Sequence, residues 1–187
     1  MAKFKFKYGV MNSGKSQELI RVWYNYTTQG RKVLVLAPAV DDRYGVGKVT
    51  TRAGESITAT TLSDNFYKEI NNLNLEDIEC VLIDEVQFLS FETIEYIKHH
   101  FVLGKGIPVL AYGLLKDFQN NIFVGSQACL IMAEEIEEIE TICHYCVKKA
   151  TMNKRIDRNG NKVAGGAQVV VGGNDSYVQC CHEHWEE

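Results

Sequence analysis

Gly9-Val10-Met11-Asn12-Ser13-Gly14-Lys15-Ser16 is a complete G-x4-G-K-S segment, and its flanks decide the fold. Ahead of it Phe4–Tyr8 (FKFKY) reads as a strand. Behind it, residues 16–29 place Leu19, Ile20, Trp23 and Tyr26 on one helical face and stop at Gly30. A strand, a glycine-bearing turn and a helix are the context this motif requires. Backbone N–H groups of such a turn wrap a phosphate chain, and the helix N-terminus adds partial positive charge. Lys15 then reaches the β- and γ-phosphates and the Ser16 hydroxyl ligates Mg²⁺, so the segment predicts an ATP site.

Working outward, short apolar runs alternate with helical patterns. Residues 33–36 (ended by Pro38), 80–83 and 109–111 read as buried strands. Helices are expected from Ser63 or Asp64 to about Asn71, over 91–101 with Gly104 and Gly106 beyond, and over 125–133. This alternation predicts an α/β fold, a parallel P-loop sheet with helices on both faces. Residues 39–62 read as a long irregular polar loop of functional kind. FKFKY itself fits poorly, since a central parallel strand is apolar on both faces; lysine stems lying on the surface with their heads in water are the expectation.

The chain has 187 residues, 45% of them hydrophobic, with 20 Lys and Arg against 24 Asp and Glu for a net charge of −4. That excludes a disordered chain and a general polyanion-coating protein. No apolar run is long enough to span a bilayer and the first residues carry no signal-peptide pattern, so a cytoplasmic protein without a membrane partner is expected. No extended regulatory tail is expected beyond Glu187.

At the end of the apolar run 80–83 stand Asp84 and Glu85. An acid there is the Walker-B arrangement, with Asp84 organising Mg²⁺. Glu85, one residue on, is placed to take a proton from an attacking hydroxyl. Six cysteines in an unsecreted chain point to metal or core, not disulfides. Cys80 and Cys129 stand singly in apolar surroundings and read as core. Cys143-x2-Cys146 and Cys181-x2-His184 form two knuckles with four soft ligands, the pattern of a closed structural zinc site; Cys180 and His182 are the nearby alternatives. His99 and His100 read as solvated cations at a helix end, and the five glutamates of residues 134–140 as a solvated face. The division expected is 1–136 for the ATP-binding domain and 137–187 for a small zinc-clipped one.

The strings GVMNSGKS, DDRY, DEVQF, YGLLKDFQ, CHYC with KKATMNKR, GGNDSY and CCHEH, in this order across essentially the whole chain, resemble the type II, cellular cytosolic class of thymidine kinases. The resemblance implies a RecA-like sheet domain and a zinc-held lasso that closes over a nucleoside. It implies transfer of the ATP γ-phosphate to the 5′-hydroxyl of thymidine or deoxyuridine, in DNA-precursor salvage, by a homotetramer subject to end-product feedback. Glu85 becomes the general base, Arg43 a transition-state contact, and Asp84 and Gln87 part of the ATP site. Met11, Phe88, Leu114, Phe118 and Phe123 match positions against base and sugar. Tyr177 matches a pocket-closing tyrosine, and the main chain at Val170, Val171 and Gly172 the grip on the thymine edge. Two departures stand out. Val10 and Asn12 occupy loop positions where the family commonly has Pro and Phe, and His184 stands where Cys is frequent.

A nucleic-acid motor is the rival class for a P-loop with a zinc module. The acidic balance and short length speak against it. The basic stretch Lys148, Lys149, Lys154, Arg155 and Arg158 reads as anion contacts around ATP or as solvated surface.

Overall fold

Val81, Leu82 and Ile83 are buried on both faces, as a strand with neighbours on either edge must be. In the computed structural model, which describes residues 1–40, 47–168 and 176–187, that strand is central. The elements in order are β1 (Phe4–Tyr8), α1 (Lys15–Thr27), β2 (Lys32–Pro38), β3 (Lys48–Thr50), β4 (Ser56–Thr58), β5 (Thr60–Leu62), α2 (Phe66–Asn71) and β6 (Ile78–Ile83). A 3-10 turn (Val86–Phe88) follows, then α3 (Phe91–Ile97), which winds on as wider π turns over Lys98–Gly104. β7 (Val109–Gly113), α4 (Val124–Met132), β8 (Glu135–Glu138), β9 (Met152–Ile156), β10 (Ser176–Cys180) and α5 (His182–Glu186) complete it. Six strands form one all-parallel sheet in the order β5-β2-β6-β7-β1-β8.

Helices cover both faces, as expected. Phe4, Phe6, Val81, Ile83 and Val109 pack with Ile70, Ile94, Ile97, Phe101 and Ala128 in one core. Leu19 and Ile20 of α1 pack with Val35, Leu82 and Tyr112 in the other, joined by Val49 and Ile57.

The lysines of β1 are not the solvated heads expected. Phe4 and Phe6 enter the core while Lys5 and Lys7 take the opposite face of the strand. The glutamate run 134–140, read as a solvated face, supplies β8, the sheet's edge, in parallel register with β1. Lys3 and Lys5 both reach the Glu135 carboxylate, and Lys7 pairs with Glu137 at 2.9 Å and with Glu18 of α1 at 2.5 Å. Opposite charges directly across two strands stabilise the pairing, and a charged edge resists pairing with other chains.

The stretch 39–62 is not wholly irregular where described. β3 and β4 form an antiparallel hairpin turning at Gly54, and β5 extends the main sheet beside β2. Three-residue strands give too little alternation to read. The basic stretch also divides. Lys148 pairs with Glu183 and Lys149 with Glu138 and Glu140. Lys154 and Arg155 are buried, Lys154 donating to the His184 carbonyl at 2.8 Å and Arg155 lying 5.1 Å from the centre of the Phe118 ring. His100 is no solvated cation either: its Nε2 is buried without a hydrogen-bond partner and burial lowers its pKa. Cys80 and Cys129 are core, as expected, and burial pushes the Cys80 thiol up to about 12. No helix among the described residues is long and apolar enough to cross a membrane.

Candidate active site

The sheet order places the ends of β1 and β6 on either side of β7, so the loops leaving all three converge at the carboxyl edge, where ligands of parallel α/β sheets bind. After β1 the chain turns through Asn12 (φ +62°) and Gly14 (φ +87°) into α1. Both residues tolerate the left-handed conformation that such a turn needs. Gly9 is required for closeness: a Cβ there would sit 2.4 Å from Ser13 Oγ and 2.5 Å from the Ile139 carbonyl. The loop closes on its own lysine. Lys15 Nζ donates to the Val10 carbonyl at 2.8 Å and the Gly9 carbonyl at 3.2 Å, and lies 3.5 Å from Ser13 Oγ.

Ser16, at the start of α1, donates its hydroxyl to Asp84 Oδ2 at 3.0 Å, joining the phosphate loop to the end of β6. Burial and the adjacent Glu85 carboxylate push the Asp84 carboxyl well above the ordinary range; the Ser16 hydroxyl and Lys15 ammonium pull against them. A serine hydroxyl beside a carboxylate is a hard-oxygen donor pair of the kind that holds Mg²⁺ with nucleotide phosphates.

Glu85 stands in the left-handed conformation (φ +49°) ahead of the 3-10 turn. A non-glycine residue there stores strain that the surroundings must offset. Gln87 is the brace. Its Nε2 donates to Glu85 Oε2, and its Oε1 accepts from the Leu114 N–H at 3.0 Å. Gln87 was expected among the ATP contacts; its side chain is buried and is not among the cavity-lining residues. Gly113 makes room for it, because a Cβ there would lie 2.5 Å from Gln87 Oε1.

A cavity of about 350 Å³ opens over these groups. Of the residues singled out from sequence, it is lined by Met11, Asn12, Gly14, Lys15, Ser16, Asp84, Glu85, Phe88, Leu114, Phe118, Phe123 and Tyr177. Phe88 and Phe123 meet edge to face at 6.0 Å, as do Phe118 and Tyr177 at 6.2 Å. Gly9, Val10 and Ser13 belong to the turn without lining the cavity. Arg43, Val170, Val171 and Gly172 lie outside the described residues. Sequence reasoning missed the β3 end (Lys48, Val49, Thr50, Thr51, Arg52), Asp117, Asn153 and Gln168 in the lining. For the first group the strands are too short to read, and for Asn153 nothing local existed.

Cys143, Cys146, Cys181 and His184 bring their ligand atoms within 4.8 Å of one another. Cys146 Sγ and Cys181 Sγ are 3.8 Å apart, and a tetrahedron with zinc–sulfur arms of about 2.3 Å has edges of about 3.8 Å. Burial opposes ionisation of Cys143, yet surrounding backbone N–H groups hold its thiol down to about 6, favouring the thiolate that a metal needs. Cys180 is buried with its thiol pushed up to about 11, and His182 instead stacks on Trp185, so neither alternative joins the cluster. The donor set fits zinc.

A profile of the thymidine kinase family matches residues 2–185. A thymidine kinase of Lactobacillus johnsonii is 44% identical over 99% of this chain and 96% of its own length. One from Lactobacillus acidophilus is 46% identical over 99% and 96%, and one from Legionella pneumophila 46% over 100% and 90%. Among solved structures, the Pif1 helicase of Candida albicans overlays 74% of this chain and 36% of its own at a TM-score of 0.45 and 15% identity.

Proposed function

The chain belongs to the thymidine kinase family, and from its site we propose that it transfers the γ-phosphoryl group of ATP to the 5′-hydroxyl of thymidine or deoxyuridine. The products are the nucleoside 5′-monophosphate and ADP. The observation that carries this reading is one shared cavity. The phosphate loop, the Ser16–Asp84 pair, Glu85 and an aromatic wall all face it.

In this reading the turn at Gly14 and the start of α1 hold the triphosphate, with Lys15 on its β- and γ-oxygens. Ser16 and Asp84 would hold Mg²⁺, which would supply positive charge against the phosphate oxygens. Glu85 accepts the proton of the 5′-hydroxyl as its oxygen bonds to the γ-phosphorus and the bond to the bridging β–γ oxygen breaks. Gln87, expected in the ATP site, also aims Glu85 through its hydrogen bond to that carboxylate. Phe88, Phe118 and Phe123, with Met11 and Leu114, pack on base and sugar, and Tyr177 closes over them. Arg43 stabilises charge in the transition state, and the main chain at 170–172 grips the thymine edge. A zinc ion on Cys143, Cys146, Cys181 and His184 would hold the C-terminal segment, expected over 137–187, as a unit from beyond β8, whose Glu137 and Glu138 pair within the main sheet. The active assembly is a homotetramer in the cytoplasm.

Product analysis tests the reaction. Thymidine yields thymidine 5′-monophosphate by phosphorus NMR, and 5′-deoxythymidine yields nothing. A 3′-phosphate, or product from 5′-deoxythymidine, overturns the assignment of the attacking hydroxyl.

A further inference from the structure

Asn153 is a polar residue of β9 at 5% exposure, and a buried carboxamide is costly unless both its ends are paired. Both are. Its Oδ1 accepts from the Met11 N–H at 2.8 Å, and its Nδ2 donates to the Lys116 carbonyl at 3.1 Å. Met11 lies in the phosphate loop. Lys116 lies between Leu114 and Phe118, two members of the apolar cavity wall. Asn153 itself sits on the hairpin whose other strand, β10, runs into the ligand Cys181. One side chain therefore joins three parts of the molecule: the loop, the wall and the metal-clipped hairpin.

Two further contacts run in parallel. Gln179, the register partner of Asn153 on β10, accepts from Asn12 Nδ2 at 2.7 Å. Lys116 Nζ reaches the Met152 sulfur at 3.6 Å. The loop contact depends on Asn12, a position where phenylalanine has no polar group to offer.

We propose that Asn153 is a positioning residue for phosphoryl transfer. It fixes the spacing between the phosphate loop and the apolar wall, and it ties that spacing to the zinc-clipped hairpin. The inference rests on the phosphoryl-transfer reading above. Reacting atoms must be held at near-attack separation, and a misplacement of about 1 Å costs on the order of 100-fold in rate. A carboxamide suits the task because it accepts at one end and donates at the other. Aspartate keeps the acceptor for Met11 but has nothing to give the Lys116 carbonyl. Alanine abandons both backbone groups.

Steady-state kinetics of Asn153→Ala and Asn153→Asp on the full chain, with zinc content and folded fraction measured alongside, test the idea. For Asn153→Ala, kcat falls about 10- to 100-fold while KM for ATP and for thymidine each stay within about threefold, at unchanged zinc content. Asn153→Asp falls less than Asn153→Ala, because the phosphate-loop contact survives. If Asn153→Ala does not fold, Gln179→Ala, at the half-buried register partner that accepts from Asn12, gives the same kcat-weighted loss, reduced in size. A kcat within threefold of wild type, or a fall no larger than the loss of folded protein, overturns the proposal. Wild-type protein without thymidine-dependent turnover overturns the kinase reading itself, a result separable from the first.

Discussion

At the scale of single residues the proposed mechanism turns on Glu85 and on Gln87, which hydrogen-bonds to it. Glu85→Gln removes the proton acceptor and leaves the phosphate loop intact, so kcat falls by about 10²- to 10⁴-fold while ATP affinity, read by nucleotide titration, changes only severalfold. Retained turnover removes Glu85 as the base. Gly113→Ala tests the brace without touching either carboxylate. Its Cβ would lie 2.5 Å from Gln87 Oε1 and 2.8 Å from Val86 Cγ1, so Gln87 must shift and release Glu85 and the Leu114 N–H. A kcat loss of about tenfold is expected, with an unchanged rate contradicting the role of Gln87. Asp84, Glu85 and the loop were readable because the motif carries its own local geometry. Gln87, Asn153, Lys154 and Arg155 were not, because what surrounds them comes from segments distant in the chain.

At the scale of elements, β1 and β8 show the same contrast. Strands β2, β6 and β7 were readable from apolar runs between glycines and proline, and α1 from its one-sided pattern. β8 read as a solvated charge run because its partners, Lys3, Lys5 and Lys7, lie some 130 residues earlier. The pairing has a pH signature. Hydrogen bonds from Lys3 and Lys5 hold the Glu135 carboxyl down to about 2, against 4.5 unpaired. A pKa depressed on folding means that the stabilisation is present above pH 4.5 and fades as pH falls towards 2. Amide protection of Glu135–Glu138 therefore declines as pH falls from 4.5 towards 2, before that of β6. Glu135→Gln flattens the decline, a modest change because the pair is exposed. Equal profiles for variant and wild type contradict the ion-pair account.

At the scale of the molecule, a parallel sheet with its own two cores carries a hairpin whose small cluster is Cys143, Met152, Cys180 and Cys181. Among the described residues these four, with Cys146 and Trp185 packed against them, make a small apolar cluster for a segment of this length, which is the ground for proposing that a metal on the Cys143–Cys146–Cys181–His184 group holds it. Chelation should expose 141–187 to proteolysis and hydrogen exchange before the sheet opens; protection unchanged after the metal is stripped contradicts a structural zinc. Spacing made the clustering of Cys143, Cys146, Cys181 and His184 readable, since two x2 knuckles are a local signal. The way β9 and β10 grip the phosphate loop is a product of the tertiary fold. The proposed reaction couples ATP consumption to one class of nucleoside. ATP turnover with magnesium, measured separately with thymidine, deoxyuridine, deoxycytidine, deoxyadenosine, deoxyguanosine and single-stranded DNA, tests it most directly. Turnover with thymidine and deoxyuridine alone is the predicted result. Stimulation by DNA with no response to any nucleoside would contradict it.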